Sequence, residues 1–409
     1  QDLHFVVNDT GAVYPLTIDP VTTVTETARL SVASLVGASL GSCVRLSADG
    51  TTAIVAAPGE DLGGGRGYGA VYVYVRPSTG WSSTTTYTAK LSHDSSEGKV
   101  QFFGSTMAIS DDGGTVVIGV NSMSGGVYDA PHAYVFTRPS GGWTSTTNYA
   151  ARFDAPGARF GYGYSVGLSG DGTVATVGSP GDDGVAYVYA KPTAGTWTST
   201  GKEYTARLGV PATNDGFGFN VSMSRDGGTV VVTNKHNKAS VYERQGANWS
   251  TSSTPSATLT VPDGTNYLFL RTSIDADGST IGIASPLTNT AYVYTRPTAG
   301  WTTVPSASAR LTLPPPVPSD GGWFGTSISL SGDGTSLAVG GNSGSKGKAY
   351  VFTKPTAGWA NSSTASTVAE GSDTPAYGYF GSSLSLSRDG KSLLAGSGNT
   401  GGYVVDFNL

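Results

Sequence analysis

The residues best suited to chemistry in this 409-residue chain are carboxylates, and many of them occur in one repeated setting. An aspartate followed by glycine recurs after a short alternating run, mostly as Ser-x-Asp-Gly. The aspartates of this setting are Asp49, Asp112, Asp171, Asp226, Asp277, Asp333 and Asp389. A catalytic role would require all of them to act, whereas an Asp-Gly pair supplies the positive φ that a tight hairpin needs. The pattern therefore predicts turns in a repeated fold.

Other residue types form no catalytic constellation. The histidines are spread over different parts of the chain and match no HxxxH or His/Asp spacing. They are His4, His93, His132 and His236. No Gly-x-Ser-x-Gly elbow occurs in a strand–turn–helix setting. Cys43 is the single cysteine, which excludes an internal disulfide and a cysteine-rich metal site. The sequence therefore predicts no catalytic residues and no enzyme activity.

Composition and charge argue against two classes of partner. Charged residues make up 13% of the chain, its formal net charge is −5, and no run of Lys or Arg occurs. We therefore expect neither nucleic acid nor an anionic membrane as a partner. No stretch approaches the roughly 18 consecutive apolar residues of a membrane span, so direct membrane insertion is not expected either. The chain begins at Gln1 instead of Met, which fits a processed, secreted protein and equally a piece of a longer chain.

The Asp-Gly turns belong to a long repeat, and the repeat predicts the fold. Successive aspartates of the set are 51 to 63 residues apart, which is typical of repeat architectures. Each unit holds four short runs rich in Val, Tyr and Phe, without helical periodicity. In "AYVYT" (291–295) both faces of the strand are apolar, so the sheet must be covered on both sides. The sequence therefore predicts an all-β chain, a seven-bladed β-propeller with four-stranded antiparallel blades.

The two ends of the chain predict how the ring closes. With the strands of a blade named a to d from the axis outward, "GGYVVDFNL" (401–409) is strand c of the last blade, which then lacks strand d. The run "TETARL" (25–30) is similar to strand d and is predicted to complete that blade, which removes open sheet edges. Residues 1–24 are then an N-terminal extension, in which "HFVV" (4–7) could add a strand. The propeller spans 25–409, with blades expected at about 38–91, 101–153, 160–208, 215–260, 267–312, 322–369 and 378–409.

A second recurring motif is exemplified by "RPTAGW" (296–301). It follows strand c, so it is predicted to be the c–d turn at the outer edge of each blade. Proline fixes φ, glycine supplies the unusual backbone angle, and tryptophan begins strand d over the blade edge. The basic residue could stack on the tryptophan ring. The Ser/Thr-rich stretches that follow, such as "SSTTT" (82–86), suit either O-glycosylation or polar edge strands.

Three features together resemble FG-GAP repeats, which build the seven-bladed propeller of integrin alpha subunits. They are Phe-Gly at strand a, "VAAPGED" (55–61) after strand b and "GAVYVY" (69–74) in strand c. The resemblance covers residues 25–409 and implies architecture rather than function. The fifth unit, "YLFLRTSI" (267–274), lacks the Phe-Gly pair. Calcium would be the candidate cofactor, but the a–b turns are too short to supply about six to eight oxygen ligands. No metal site or other cofactor is therefore expected.

The two faces of the predicted ring differ in their loops. The a–b and c–d turns share one face and are short and uniform, whereas the b–c and d–a loops share the opposite face and vary. We call the second side the variable-loop face and expect ligands there, because binding residues tend to lie in loops on a rigid scaffold. The candidate ligand-binding residues are Glu60, Asp61, Tyr68, Tyr128, Asp182, Asp183 and Trp323.

Glycosylation sequons complete the functional hypothesis. Asn8, Asn248 and Asn361 are candidate N-glycosylation sites, whereas the sequon at Asn220 falls in an innermost strand. We expect a secreted or cell-surface module, a rigid scaffold that binds extracellular protein or glycan or that assembles with itself in a matrix, appendage or filament. The alternative is a secreted carbohydrate-active enzyme with an acid–base pair of carboxylates at the axial mouth of the variable-loop face.

Overall fold

The computed structural model describes residues 21–407, except for 34, 36, 63–67, 95–101, 121–130, 155–160, 182–183, 194, 200, 202, 211–215, 235, 263–268, 303–305, 314–322, 342–345, 374–377 and 399. The described residues form strands and turns. None of them belongs to a helix that is long and apolar enough to cross a membrane. Seven separate sheets follow one another along the chain, and the innermost strands of successive sheets are in contact. The predicted seven-bladed β-propeller is confirmed.

Each blade contains four antiparallel strands in the order a, b, c, d from the axis outward. Two N-terminal strands, β1 (Thr22–Thr25) and β2 (Ala28–Leu30), precede the first blade. Blade 1 comprises β3 (Val44–Leu46), β4 (Thr52–Ala57), β5 (Ala70–Val75) and β6 (Ala89–Ser92), and blade 2 comprises β7 (Phe103–Ile109), β8 (Thr115–Val120), β9 (His132–Thr137) and β10 (Ala151–Asp154). Blade 3 comprises β11 (Ser165–Leu168), β12 (Val174–Ser179), β13 (Val185–Ala190) and β14 (Ala206–Gly209), and blade 4 comprises β15 (Asn220–Met223), β16 (Thr229–Thr233), β17 (Lys238–Glu243) and β18 (Ala257–Thr260). Blades 5 to 7 comprise β19 (Arg271–Ile274), β20 (Thr280–Ser285), β21 (Thr290–Thr295) and β22 (Ala309–Leu311); β23 (Ser327–Leu330), β24 (Ser336–Gly341), β25 (Lys348–Thr353) and β26 (Thr367–Glu370); and β27 (Ser383–Leu386), β28 (Ser392–Ser397) and β29 (Gly401–Asp406).

The hydrophobic core lies between the blades. Strand β4 is buried along its whole length, because successive side chains of the strand pack against different neighbouring blades. One core cluster joins Ile54 and Val71 of blade 1 to Met107 and Ile118 of blade 2. Equivalent clusters occupy the other junctions between blades. Neighbouring blades thus cover both apolar faces of each sheet, as the sequence predicted.

The N-terminal strand closes the ring as predicted. Strand β2 pairs antiparallel with β29, with Ala28 opposite Val404 and Leu30 opposite Gly402. Ala28 and Leu30 are fully buried. Blade 7 is therefore built from both ends of the chain. Strand β1 lies ahead of the predicted start of the propeller at residue 25, yet it pairs in parallel with β26 of blade 6. The predicted strand at 4–7 lies outside the described residues.

A parallel clamp joins neighbouring blades at their outer edges. The residues two and three positions after a tryptophan pair with strand d of the preceding blade in chain order. Between blades 1 and 2, Thr146 N donates to Lys90 O over 2.9 Å, and Ser145 Oγ accepts from Lys90 N over 2.9 Å. Strand β1 provides this clamp for blade 6, because it precedes strand d of blade 7. The Ser/Thr-rich stretches therefore act as polar edge strands.

Side chains also join the innermost strands, which make no continuous backbone ladder with one another. Val44 N and Leu46 N of blade 1 donate to Ser383 Oγ and Ser385 Oγ of blade 7, each over 3.0 Å. Blades 7 and 6 are joined in the same way by Leu386 N and Ser329 Oγ, 2.9 Å apart. The alternating serines of runs such as "SSLSLS" (382–387) satisfy the edge N–H groups that would otherwise be unpaired.

The tryptophan motif fastens the c–d turn to the a–b turn of the same blade. The indole Nε1–H donates to the carbonyl oxygen of the glycine in the Asp-Gly turn. The Nε1–O distance is 3.0 Å for Trp81–Gly50, Trp143–Gly113, Trp197–Gly172 and Trp249–Gly227, 2.8 Å for Trp301–Gly278 and 3.2 Å for Trp359–Gly334. These tryptophans are buried. At the described turns the basic residue does not stack on this ring; Arg296 Nη2 instead binds Glu243 Oε1 over 2.5 Å.

Candidate binding site at the axial mouth

A tight turn leads into strand a of six blades on the variable-loop face. In each, the N–H of the fourth residue donates to the carbonyl of the first. The pairs are Ser42–Ser39, Ser105–Phe102, Tyr164–Gly161, Phe219–Gly216, Thr326–Trp323 and Ser382–Tyr379, with N–O distances of 3.0 to 3.3 Å. The fourth residues all line a cavity on the axis. The first residues therefore form the rim of the axial mouth.

Large aromatic side chains are exposed on this rim. Trp323 is 51% exposed, Phe102 48% and Tyr379 40%. Phe269 of blade 5 is also 40% exposed and contacts the Phe219 ring, with the centroids 5.5 Å apart. Exposed aromatic side chains grouped around an opening are typical of binding sites. We call Phe102, Phe269, Trp323 and Tyr379 the aromatic rim.

Three of these aromatic residues have a left-handed backbone. Their φ angles are 59° at Phe102, 48° at Phe269 and 53° at Tyr379. Blades 3 and 4 place glycine, Gly161 and Gly216, at the rim position that Phe102 and Tyr379 occupy. A bulky residue pays a conformational cost in this region that glycine avoids. Such strain is concentrated at functional sites in proteins. The rim therefore keeps aromatic side chains where the backbone alone would favour glycine.

Beneath the rim lies a polar cavity of about 270 Å³, which adjoins a deeper one of about 160 Å³. In every blade, two alternate positions of strand a line these cavities. At the position nearer the rim the residues are Cys43, Thr106, Ser165, Asn220, Arg271, Ser327 and Ser383, and at the deeper position Arg45, Ala108, Gly167, Ser222, Ser273, Ser329 and Ser385. All are small except Arg45 and Arg271. The two arginines therefore depart from the repeat at positions that line the cavity.

The two arginines lack a carboxylate partner among the described residues. Arg271 lies with Cζ 5.4 Å from the centroid of the Phe219 ring, and neither an ion pair nor a hydrogen bond joins its guanidinium to the described part of the chain. Burial lowers the pKa of Arg271, although Tyr164 opposes the change. Arg45 Nη1 donates to Val44 O over 2.7 Å and to Ser383 Oγ over 3.5 Å. Among the described residues, no carboxylate balances the charge of these two arginines.

The opposite mouth of the axis is built differently. Backbone hydrogen bonds join the a–b turns of neighbouring blades at six of the seven contacts between blades, and each involves the residue that stands between Ser and Asp in the turn. One example runs from Gly170 N to Arg225 O over 2.7 Å. Here Arg225 Nη1 pairs with Asp111 Oδ1 over 2.7 Å. Burial lowers the pKa of Arg225, while Asp111 raises it and Arg388 and Arg45 lower it further. At this mouth the positive charge of Arg225 is therefore balanced by the carboxylate of Asp111.

The aspartates of the Asp-Gly turns form hydrogen bonds within their own turns, so they stabilise the blades. In blade 1, Ser47 Oγ donates to Asp49 Oδ1 over 2.6 Å, and Thr51 N donates to the same oxygen over 3.0 Å. Burial raises the pKa of the Asp49 carboxyl, but the hydrogen bonds from Ser47 and Thr51 outweigh burial and the pKa is lowered. The same serine–aspartate bond occurs in blades 2, 3, 4, 6 and 7.

The predicted site residues have different surroundings. Trp323 is on the aromatic rim. Glu60 is 7% exposed, and its carboxylate accepts from Tyr72 Oη and Lys90 Nζ, each over 2.7 Å, so it stabilises the interior of blade 1. Asp61 is exposed and Tyr68 is half-buried beside the entry to blade 2. Tyr128, Asp182 and Asp183 lie outside the described residues. Sequence analysis missed Phe102, Phe269 and Tyr379, which their position one, two and four residues before strand a could have indicated.

The two described glycosylation candidates, Asn248 and Asn361, lie away from the axial mouth. Asn248 is exposed in the c–d turn of blade 4. Asn361 is exposed in the segment of blade 6 that clamps blade 5, where its Oδ1 accepts from Arg310 N over 2.8 Å. Asn8 lies outside the described residues. Asn220 lines the axial cavity, and its Oδ1 accepts from Thr272 N and Thr272 Oγ1 over 2.9 and 2.8 Å.

Two histidines that are distant in sequence approach the same tyrosine. His93 and His132 are both buried, and their ring centroids lie 5.7 and 6.0 Å from that of Tyr134. His132 Nδ1 is 3.0 Å from Asp154 Oδ1. The histidines are therefore less scattered than the sequence suggests. Within the described parts of the chain, no three His, Cys, Asp or Glu side chains are grouped so that they could hold a metal ion.

The lining of both axial cavities contains Ser, Thr, Asn, Arg and apolar residues, but no Asp or Glu among the described residues. The site therefore offers hydroxyl groups, amide groups and guanidinium donors beneath an aromatic rim. It suits a polar ligand with apolar faces. Neither the scan against protein-family models nor the search of curated proteins finds a match for this chain.

Proposed function

We propose that this propeller is a binding module whose ligand sits at the axial mouth of the variable-loop face. The aromatic rim above a polar axial cavity is the observation that supports this function. Aromatic side chains supply contact area at low conformational cost, and the hydroxyl groups below can fix the orientation of a polar ligand. Strands from seven blades position the site, and the clamps between blades keep that framework rigid.

The proposed ligand is an extracellular glycan. Sugar rings offer C–H faces for aromatic side chains and hydroxyl groups for the Ser, Thr and Asn side chains of the cavity. The low charge of the chain, its exposed sequons and its likeness to FG-GAP repeats support a secreted or cell-surface setting and a relationship to that family. The lack of carboxylates in the described cavity lining favours binding over glycoside hydrolysis, which uses a pair of carboxylic acids.

The test is binding of the full chain to a panel of immobilised polysaccharides. We expect at least one to bind, and we expect Trp323→Ala and Tyr379→Ala each to weaken that binding about tenfold, as loss of an aromatic anchor does. Tyr204→Ala is the matched control, because Tyr204 is also 40% exposed but lies outside the rim. Binding that is unchanged in the rim variants, or lost equally in the control, contradicts the proposed function.

A further inference from the structure

The positive charge of the axial cavity indicates that its ligand carries a negatively charged group. Arg45 and Arg271 line the same cavity, and their positions in other blades hold only small residues. Serine would serve the fold equally well there, since Ser383 and Ser385 accept backbone hydrogen bonds at these two positions in blade 7. The arginines are therefore not needed to join the innermost strands.

A partly buried guanidinium without a counter-ion destabilises the folded protein, because its desolvation is not repaid. Arg225, at the opposite mouth, is balanced by Asp111 at 2.7 Å. Neither Arg45 nor Arg271 has such a partner among the described residues. A bound anion would supply a counter-charge and would gain charge-assisted hydrogen bonds from the guanidinium groups.

We propose that the axial cavity binds the anionic group of an acidic saccharide, a sugar that carries a carboxylate or a sulfate ester, between Arg45 and Arg271. The inference rests on the proposed function, because the aromatic rim is what contacts the sugar rings. A cavity of about 270 Å³ lined mainly by Ser and Thr suits one charged sugar residue rather than an extended backbone. The neighbouring sugars of the chain then lie across the rim.

The experiment compares three polysaccharides on the full chain: polygalacturonate, a sulfated galactan and an uncharged galactan. Polygalacturonate and the sulfated galactan separate the two possible sources of the anion. The variants are Arg45→Ser and Arg271→Ser, which restore the residue type of the other blades, with Arg271→Lys to keep the charge. Arg76→Ser is the control for non-specific attraction, because Arg76 is exposed on the opposite face of the ring.

We expect at least one acidic polysaccharide to bind more tightly than the uncharged galactan, with an affinity that falls as salt rises. Each Arg→Ser variant is expected to lose about tenfold or more in affinity, the loss for one charge-assisted hydrogen bond. Arg271→Lys should retain part of the binding, and Arg76→Ser all of it. Free galacturonate should raise the unfolding temperature of the unmodified chain while galactose does not, which tests the site even if a serine variant fails to fold.

Two results overturn the inference. In the first, both serine variants fold and bind every acidic polysaccharide as the unmodified chain does. In the second, an acidic peptide such as poly-glutamate binds through Arg45 and Arg271 while the acidic polysaccharides do not. If rim variants still weaken binding to an uncharged galactan in either case, the proposed function stands and only the anionic ligand is wrong. If rim variants have no effect on any ligand, the proposed function itself fails.

Discussion

In blades 1 to 6, the glycine of the Asp-Gly turn and the tryptophan of the c–d turn stabilise the blade through one hydrogen bond between the two turns. The Asp-Gly glycines have φ near 70°, for example 69° at Gly50, which glycine adopts without strain. Their carbonyl groups then point to the buried edge of the blade, where the tryptophan indole is the donor. A buried carbonyl that loses its only donor costs more than an average hydrogen bond contributes. The tryptophan is therefore kept for its N–H as well as for its ring.

Trp143→Phe is expected to lower the free energy of unfolding by about 1–3 kcal/mol, because the ring remains largely filled but Gly113 O loses its donor. Urea unfolding followed by circular dichroism measures the change. Trp323→Phe is the matched control and should stay within about 0.5 kcal/mol of the unmodified chain, since Trp323 is exposed and its indole makes no such bond to the described residues. Equal effects of the two substitutions would contradict the role assigned to the indole N–H.

One turn departs from the others in its charge. In blade 5, Asp275 replaces the serine; it is 2% exposed and accepts hydrogen bonds from Thr280 N and Ser279 Oγ over 3.0 and 2.8 Å. Burial raises the pKa of Asp275, the hydrogen bonds lower it and the nearby Asp277 raises it, and the net pKa is raised. A carboxyl with a raised folded pKa contributes stability at low pH, which is lost as pH rises through that pKa.

Asp275→Ser should therefore raise the free energy of unfolding at pH 7 by about 1 kcal/mol, because serine accepts the turn hydrogen bonds without burying a charge. The gain should shrink as the pH falls and should be smallest below the ordinary Asp value of 3.8, where the carboxyl becomes protonated in both states. Urea unfolding at pH 7 and at low pH measures both effects. The reverse change in blade 6, Ser331→Asp, should destabilise the protein at pH 7. A variant Asp275→Ser that is less stable at pH 7 than the unmodified chain would refute this interpretation.

At the scale of elements, the outer clamp explains why Ser, Thr and Asn follow the tryptophans. The residue two positions after the tryptophan accepts a hydrogen bond from an edge N–H of the neighbouring blade. Ser83, Ser145, Ser199, Thr251 and Asn361 all do so, over 2.8 to 3.1 Å. An edge strand without this cover would expose unpaired N–H groups. The chemical requirement at the position is an acceptor on a short side chain.

Asn361→Ala should lower the free energy of unfolding by about 0.5–1.5 kcal/mol, because Arg310 N loses its acceptor. Asn361→Ser should be close to neutral, since serine accepts the equivalent bond at Ser83 and Ser145. Both substitutions abolish the sequon, so a protein produced without glycosylation isolates the hydrogen bond. A serine variant as unstable as the alanine variant would show that the amide matters for another reason.

The repeat made the blades predictable, because it places strand-forming runs and turn residues in the same order seven times. It also predicted Trp323 as a binding candidate. It did not predict the aromatic rim as a group, because Phe102, Phe269 and Tyr379 become neighbours of one opening only when the ring closes. The sequence also did not predict a role for Arg45 and Arg271, because only the folded ring shows that their strand positions line the axial cavity.

At the scale of the whole molecule, the ends of the chain must meet before the last blade exists. Strand β2 pairs with β29, and β1 pairs with β26, so the N-terminal strands join blades 6 and 7. Glu26 adds to this junction, since Ser372 N and Ser372 Oγ donate to its carboxylate over 2.8 and 2.6 Å. The ring is thereby closed by contacts between residues far apart in the sequence, such as Ala28 and Val404, and long-range contacts of this kind slow folding.

A chain that begins at Ser31 lacks both N-terminal strands and should expose the edge of β29, including the backbone of Tyr403 and Val404. We expect it to be destabilised by more than about 3 kcal/mol, because Leu30 and Ala28 leave a buried seam, and to self-associate through the open edge. A chain that begins at Thr27 keeps β2 and should lose less. Urea unfolding and light scattering measure the two effects, and a peptide of residues 21–33 added in trans should restore the monomer. If the chain that begins at Ser31 unfolds at the same urea concentration as the full chain and stays monomeric, the N-terminal strand does not close the ring in solution.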